Sequence, residues 1–133
     1  MLHPIKNNSG EKLPRVPFRD IAAFALPKDY VLSLVFVDHK LSKKLNNTYR
    51  KKNKPTNILS FPLEKNEGEI FIDVKIVREE AKTLHEKESA YLAYVFIHGV
   101  THLKGFDHGS RMEAEEAKIR RKFKLLFASS NLL

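Results

Sequence analysis

The first half of the chain alternates between helical and strand spacing of its apolar residues. The predicted order is a short strand and loop within residues 1–18, a helix over 18–26, a strand over 31–37 and a helix over about 39–50. The first helix stops before Pro27, which cannot continue it. Asp38 can cap the second helix, whose apolar face places Leu41, Leu45 and Tyr49 four residues apart.

The second half of the chain begins with strand patterns and continues with helical ones. Turns are predicted at 53–56 and 66–68, strands at 57–63 and 69–74, and helices at about 75–84, 86–104 and 111–127. The two strands are close enough in sequence to pair antiparallel. The middle helix is apolar on nearly every side, which is typical of a helix at the centre of a domain. We therefore expect an α+β fold, with a small sheet of about four strands packed with helices.

Length and composition restrict the class of protein. With 133 residues, 42% of them hydrophobic, the chain is expected to form a single domain over residues 1–133. Its lack of cysteine excludes disulfides and thiolate metal sites. No apolar run approaches the roughly 20 residues that span a bilayer, and the N-terminus does not resemble a signal peptide. We expect a soluble, cytoplasmic protein with no membrane partner.

The charge of the chain points to a polyanionic partner. The formal net charge is +8, and the excess is concentrated. Seven cations and no acid occur within residues 40–54, a segment named here the basic belt. Its cations are Lys40, Lys43, Lys44, Arg50, Lys51, Lys52 and Lys54. A second basic cluster, Arg120 to Lys124, fits a solvated face better than a binding site.

Three histidines in eleven residues carry the chemistry. His98 and His102 are four residues apart, so both imidazoles lie on one face of the central helix. Gly105 is placed to end that helix and turn the chain, which would return His108 to the same point. Three neutral nitrogens with one open position are the ligand set of a catalytic zinc site. The sequence predicts one divalent metal ion per chain, with zinc favoured.

The spacing of these histidines equals that of the extended zinc-protease motif, which makes the helix zincin-like. Where the proteases carry the glutamate that serves as general base, this chain has Gly99. Glycine cannot accept a proton. The metal cage is therefore that of a protease, but its general base is missing.

Three segments together resemble the YbeY family of metal-dependent endoribonucleases. They are the histidine segment over 98–108, the segments over 47–50 and 54–62, and the weaker match over 68–70. Thr101, Phe106 and Glu69 stand where Leu, Tyr and Asp are commoner in the family, and none of these departures removes a metal ligand. The resemblance covers most of residues 45–108.

The resemblance implies a function and a set of roles. It implies a single-strand-specific endoribonuclease that matures the 3′ end of small-subunit rRNA, takes part in ribosome quality control and contacts the ribosome or small-subunit assembly components. Arg50 corresponds to the family's functional arginine, and a planar guanidinium suits a phosphate group. The RNA-binding candidates are Lys43, Lys44, Lys51, Lys52 and Lys54.

Some roles and functions stay open at this stage. Asp107 is a candidate to orient a histidine ligand from outside the metal site, to accept a proton or to cap a turn. Phe61 and Phe106 could stack bases, although core packing is the more common duty of such residues. Two other functions share the histidine cage: a zinc metalloprotease or amidase lacking the usual Glu base, and a non-catalytic, zinc-stabilised RNA or ribosome-assembly factor.

Overall fold

The computed structural model describes residues 2–123, which form four strands and five helices. In chain order they are β1 (Lys6–Asn7), α1 (Phe18–Ala25), β2 (Val31–Val37), α2 (His39–Arg50), β3 (Ile58–Glu64), β4 (Glu67–Asp73), α3 (Val74–Thr83), α4 (Glu88–Leu103) and α5 (Ser110–Lys122). The predicted helix over 111–127 and the cluster Arg120 to Lys124 both extend beyond the described residues.

The strands form one mixed sheet in the order β1-β2-β4-β3. Strand β2 pairs in parallel with both β1 and β4, while β3 and β4 form the predicted antiparallel pair. Strand β3 is therefore an edge strand. The four-stranded sheet and the histidine-bearing helix confirm the expected α+β fold.

The two faces of the sheet carry different helices. Ile70 and Ile72 of β4 are fully buried in the core on the side of α4, where the rings of Phe18, Phe36 and Phe96 meet. Because side chains alternate along a strand, Phe71 and Asp73 point to the other face. There Asp73 accepts a hydrogen bond from Ser42 of α2 at 2.7 Å. Helix α2 thus packs on the face opposite to α4.

Helix α2 begins and ends as its sequence indicates. The Asp38 side chain accepts a hydrogen bond from the Leu41 backbone N–H at 2.9 Å, which confirms the predicted cap. The helix ends at Arg50, because Lys51 adopts a left-handed conformation with φ of 57°.

The predicted turn at 66–68 is wrong by two residues. The chain turns at residues 65–66, and both Glu67 and Gly68 belong to β4. Gly68 is needed there for packing, since a Cβ at this position would collide with the Tyr30 hydroxyl and lie 3.0 Å from the Leu103 side chain. None of the helices within residues 2–123 has both the length and the apolar character required to traverse a bilayer.

Candidate metal centre and substrate cleft

The three histidines meet because the chain reverses after α4. Gly105 has φ of +94°, a conformation that side-chain-bearing residues rarely adopt. Its N–H donates to the His102 carbonyl at 2.9 Å, and the Phe106 N–H donates to the Thr101 carbonyl at 3.3 Å. These bonds close the end of the helix and return the chain toward it. The predicted helix end and turn are confirmed.

The imidazoles form a compact triangle. The ring centroids of His98 and His102 are 4.8 Å apart, and those of His108 lie 5.4 Å from His98 and 5.1 Å from His102. One ligand nitrogen from each ring lies within 4.8 Å of the other two. Ligands around tetrahedral zinc are separated by about 3.4 Å, so small side-chain rotations would bring all three nitrogens onto one ion. The donor set fits a divalent metal.

A buried carboxylate orients the first ligand. Glu116 of α5 is 5% exposed, and its Oε2 lies 2.7 Å from Nδ1 of His98. With Nδ1–H donated to the carboxylate, Nε2 carries the lone pair that a metal needs. The same oxygen lies 3.4 Å from the Thr101 hydroxyl, which donates more closely to the Ile97 carbonyl at 2.8 Å. The His98 ring is therefore fixed in orientation.

Sequence reasoning missed Glu116 and proposed Asp107 for this kind of role. Asp107 is exposed, and it lines a depression beside His108 rather than the contact with His98. Glu116 shares the buried face of α5 with Met112 and Ile119 at helical spacing. An acid at a position where spacing predicts burial was the available signal. The role of Asp107 stays a prediction.

The electrostatics favour neutral histidine at the centre of the cluster. Burial lowers the pKa of His102, and the positive charges that His98 and His108 can carry lower it further. A hydrogen bond with the Phe106 backbone and the Glu116 charge act in the opposite direction, without reversing the shift. A metal ligand must be unprotonated, so the lowered pKa assists metal binding.

Gly99 has a packing role beside the metal centre. A Cβ at this position would lie 2.5 Å from Cδ1 of Ile58 and 2.8 Å from Oγ of Ser60. The Ser60 hydroxyl donates to the Gly99 carbonyl at 3.3 Å. Close approach at this glycine was predicted from the sequence, but the neighbours are side chains of β3. The glycine lets α4 pack directly against the edge strand.

The histidines open into a cleft of about 700 Å³ between α4, β3 and the loop after α2. The lining residues are Arg50, Lys52, Asn57, Ile58, Ser60, Pro62, Tyr91, Tyr94, Val95, His98, His102 and His108. This lining includes two cations and no carboxylate within the part of the chain that the structure describes. The cleft therefore suits an anionic group next to the metal centre.

The loop that presents Arg50 is held to its own helix. Nδ2 of Asn46, a residue that is 1% exposed, donates to the Lys54 carbonyl at 2.9 Å. The Lys51 N–H donates to the Asn47 carbonyl at 3.1 Å, which closes the helix end. Arg50 is thereby placed on the same cleft as the histidines, although about fifty residues separate them in sequence.

The opposite wall of the cleft is a hydrogen-bonded cluster on α3 and α4. Glu80 accepts from Asn57 at 3.0 Å and from the Tyr91 hydroxyl at 3.1 Å. Burial raises the pKa of Tyr91, and the Glu80 charge adds to the shift, so this hydroxyl stays protonated. The Tyr94 ring stacks on Tyr91 at 5.9 Å, with the Arg120 guanidinium 5.7 Å from its centroid.

The predicted RNA-binding lysines are divided by the structure. All five are exposed, but only Lys52 is among the residues that line the cleft; the others are Lys43, Lys44, Lys51 and Lys54. Of the residues named as secondary candidates, Asn57 and Ser60 also line it. The remaining lysines lie along α2 and the loop that follows it.

Comparison with known proteins assigns the chain to a family. Residues 11–130 match the family described as endoribonuclease YbeY, and the chain belongs to this family. A protein named endoribonuclease YbeY from Campylobacter jejuni strain RM1221 is 39% identical over 117 residues, which cover 84% of this chain and 82% of that protein. The protein of the same name from Colwellia psychrerythraea is 38% identical over 96 residues, covering 67% and 62%.

A solved structure supports the same fold. The solution structure of a Thermotoga maritima protein superposes with a TM-score of 0.63 at 25% sequence identity. The match covers 91% of this chain and 92% of that protein. The family resemblance drawn from three short segments is therefore confirmed over most of the chain.

Proposed function

We propose that this chain is a single-domain, metal-dependent endoribonuclease that cleaves single-stranded rRNA in the cytoplasm. The observation that carries the proposal is the cleft itself, which brings a three-histidine cage and Arg50 together without a carboxylate in its described lining. Membership of a family named for endoribonuclease activity supports an RNA substrate. The proposed context is maturation of the 3′ end of small-subunit rRNA and ribosome quality control.

The residues that would hold the metal are His98, His102 and His108. Zinc is the proposed ion, because three neutral imidazoles with an open position form a catalytic zinc site. The chemistry that such an ion supplies when bound is Lewis acidity toward a phosphate oxygen and activation of a nucleophile. Glu116 keeps His98 in the tautomer that binding requires, because its carboxylate accepts the Nδ1 proton.

The remaining chemistry falls to the cations of the cleft. Phosphodiester cleavage builds negative charge on the phosphate oxygens, and a guanidinium in a cleft with restricted water offers two parallel N–H donors to that charge. We assign this role to Arg50. Lys52 adds a second positive charge on the same side, and Ser60 and Asn57 offer polar contacts to the RNA backbone.

The cleft argues against peptide hydrolysis. A zinc protease uses a carboxylate as general base beside its metal. Position 99, where that residue would stand, is a glycine facing the side chains of β3 rather than the cleft. Two cations beside the cage would bind a phosphodiester, whereas a neutral amide gains little from them.

The test compares substrates on one preparation. Purified protein with measured metal content is incubated with single-stranded RNA and with casein, each with and without a chelator. The proposal expects RNA cleavage that the chelator abolishes and that added zinc restores, with casein intact. Cleavage of casein, or RNA cleavage insensitive to complete metal removal, would overturn it.

A further inference from the structure

Three aromatic rings form a row on the face of the sheet opposite the metal centre. Tyr49 and Phe61 have ring centroids 4.9 Å apart at an interplanar angle of 57°, and Phe61 meets Phe71 at 5.9 Å. Tyr49 is the outermost and is 64% exposed. The helical spacing predicted it on the buried face of α2, yet β3 is the sheet's edge strand and leaves the ring open on its outer side.

The row is continuous with the cleft. Arg50 follows Tyr49 in sequence and lines the cleft, and Pro62 follows Phe61 and lines it too. Because side chains alternate along β3, Ser60 and Pro62 face the cleft while Phe61 faces the other way. Only the edge strand itself separates the row from the cleft.

The charge around the row selects a polyanion over a protein partner. Tyr49 lies within the basic belt, where seven cations occur without an acid. One acid, Glu69 of β4, lies opposite Phe61 on the same face. Phosphates are therefore expected along the α2 side of the row, with bases over the rings. Alternation of exposed aromatics and cations is the arrangement by which proteins bind single-stranded nucleic acid.

We propose that Tyr49 and Phe61 form a base-stacking platform for the unpaired RNA that leaves the cleft around β3. The inference rests on the proposed endoribonuclease function and adds the direction that the RNA takes. It makes the enzyme bind at least one base beyond the phosphate that it cleaves. Duplex RNA, whose bases are already stacked on one another, cannot use this platform.

The chain offers a matched control for an exposed aromatic ring. Phe24 of α1 is 40% exposed, and its ring lies 5.9 Å from that of Phe123. Lys118 and Lys122 lie 6.0 Å and 5.7 Å from its centroid. Phe24 therefore has an aromatic partner and neighbouring lysines, but it does not line the cleft.

The experiment measures binding of labelled single-stranded RNA by fluorescence anisotropy. It uses the protein as purified and phosphorothioate-linked RNA whose integrity is checked on a gel afterwards. The variants are Tyr49→Leu, which keeps an apolar side chain, Tyr49→Phe, which keeps the ring, and Phe24→Leu. A series of RNAs carries one abasic position each, moved along the strand.

The platform predicts a specific pattern. Tyr49→Leu should weaken binding roughly five- to hundredfold, the range for loss of one stacked base, while Tyr49→Phe and Phe24→Leu bind as wild type. The salt dependence of Tyr49→Leu should keep its slope, because no charge is removed. One abasic position should weaken wild type by a similar factor and Tyr49→Leu no further.

Contrary results separate the two proposals. If wild type cleaves RNA but Tyr49→Leu binds as tightly as Phe24→Leu, the platform is wrong and the proposed function stands. The platform is equally wrong if Tyr49→Leu lowers only the melting temperature, or if every abasic RNA loses the same factor in both proteins. If wild type binds RNA in the predicted pattern without cleaving any, the endoribonuclease proposal fails and the platform stands.

Discussion

Glu116 offers the sharpest prediction on the metal centre. Its Oε2 is 2.7 Å from Nδ1 of His98, and the carboxylate is 5% exposed, so water cannot readily replace it. Removing a partner that orients a metal-bound histidine typically lowers metal affinity 10- to 100-fold. At about 1.4 kcal/mol per factor of ten, the expected cost is roughly 1.4 to 2.8 kcal/mol for Glu116→Ala.

The substitution series distinguishes orientation from charge. In Glu116→Gln the amide oxygen still accepts the Nδ1 proton but the negative charge is lost, so zinc affinity should fall between wild type and Glu116→Ala. Glu115→Ala is the matched control, because Glu115 is the neighbouring acid on α5 and pairs with Lys104 at 2.7 Å instead. It should bind zinc as wild type does.

The assay is competition for zinc against a chelator of known affinity, followed optically at constant pH. Melting of the metal-free proteins is measured in parallel, so that a change in folding is not mistaken for a change in affinity. If metal-free Glu116→Ala is folded and binds zinc as tightly as wild type, Glu116 does not orient the ligand and the reasoning is refuted.

Three further predictions concern the cleft and its surroundings. Arg50→Ala should lower the RNA cleavage rate about a hundredfold or more with metal content intact, and Arg50→Lys should also be impaired, since an ammonium lacks the bidentate fork; wild-type rates in either would contradict its role. Changing Lys43, Lys44, Lys51 and Lys52 together to Gln should weaken RNA binding and make the salt slope shallower by roughly two to three units, at about 0.7 per phosphate; an unchanged slope would leave these lysines as a solvated face. Gly99→Ala should lower the free energy of unfolding in urea, because an overpacking cost of about 1–3 kcal/mol exceeds a gain of about 1 kcal/mol in helix propensity; a stabilised variant would show that α4 and β3 have room to separate.

Local patterns in the sequence predicted much of the fold. The bounds of β2 and of α2, with its cap at Asp38, follow from residues within a few positions of one another. The turn at 66–68 failed for the opposite reason. Gly68 is a glycine because Tyr30 and Leu103, distant in sequence, occupy the space of its side chain. Sequence spacing contains no sign of that contact.

The candidate site shows the same division. The histidine triangle was predictable because i,i+4 spacing and a glycine at the helix end are local signals. Glu116 was not, because its partner His98 is eighteen residues away on another helix. Tyr49 was predicted on a packed face, and only the sheet order shows that the strand beneath it is an edge.

The most direct test of the account is a titration of metal-free protein with zinc, with the rate of single-stranded RNA cleavage measured at each addition. The account predicts no cleavage without metal, a rate that rises in proportion to added zinc and a break at one equivalent per chain. His102→Ala, measured alongside, should show neither the rise nor the break. Cleavage at the full rate by protein shown by elemental analysis to contain no metal would contradict it.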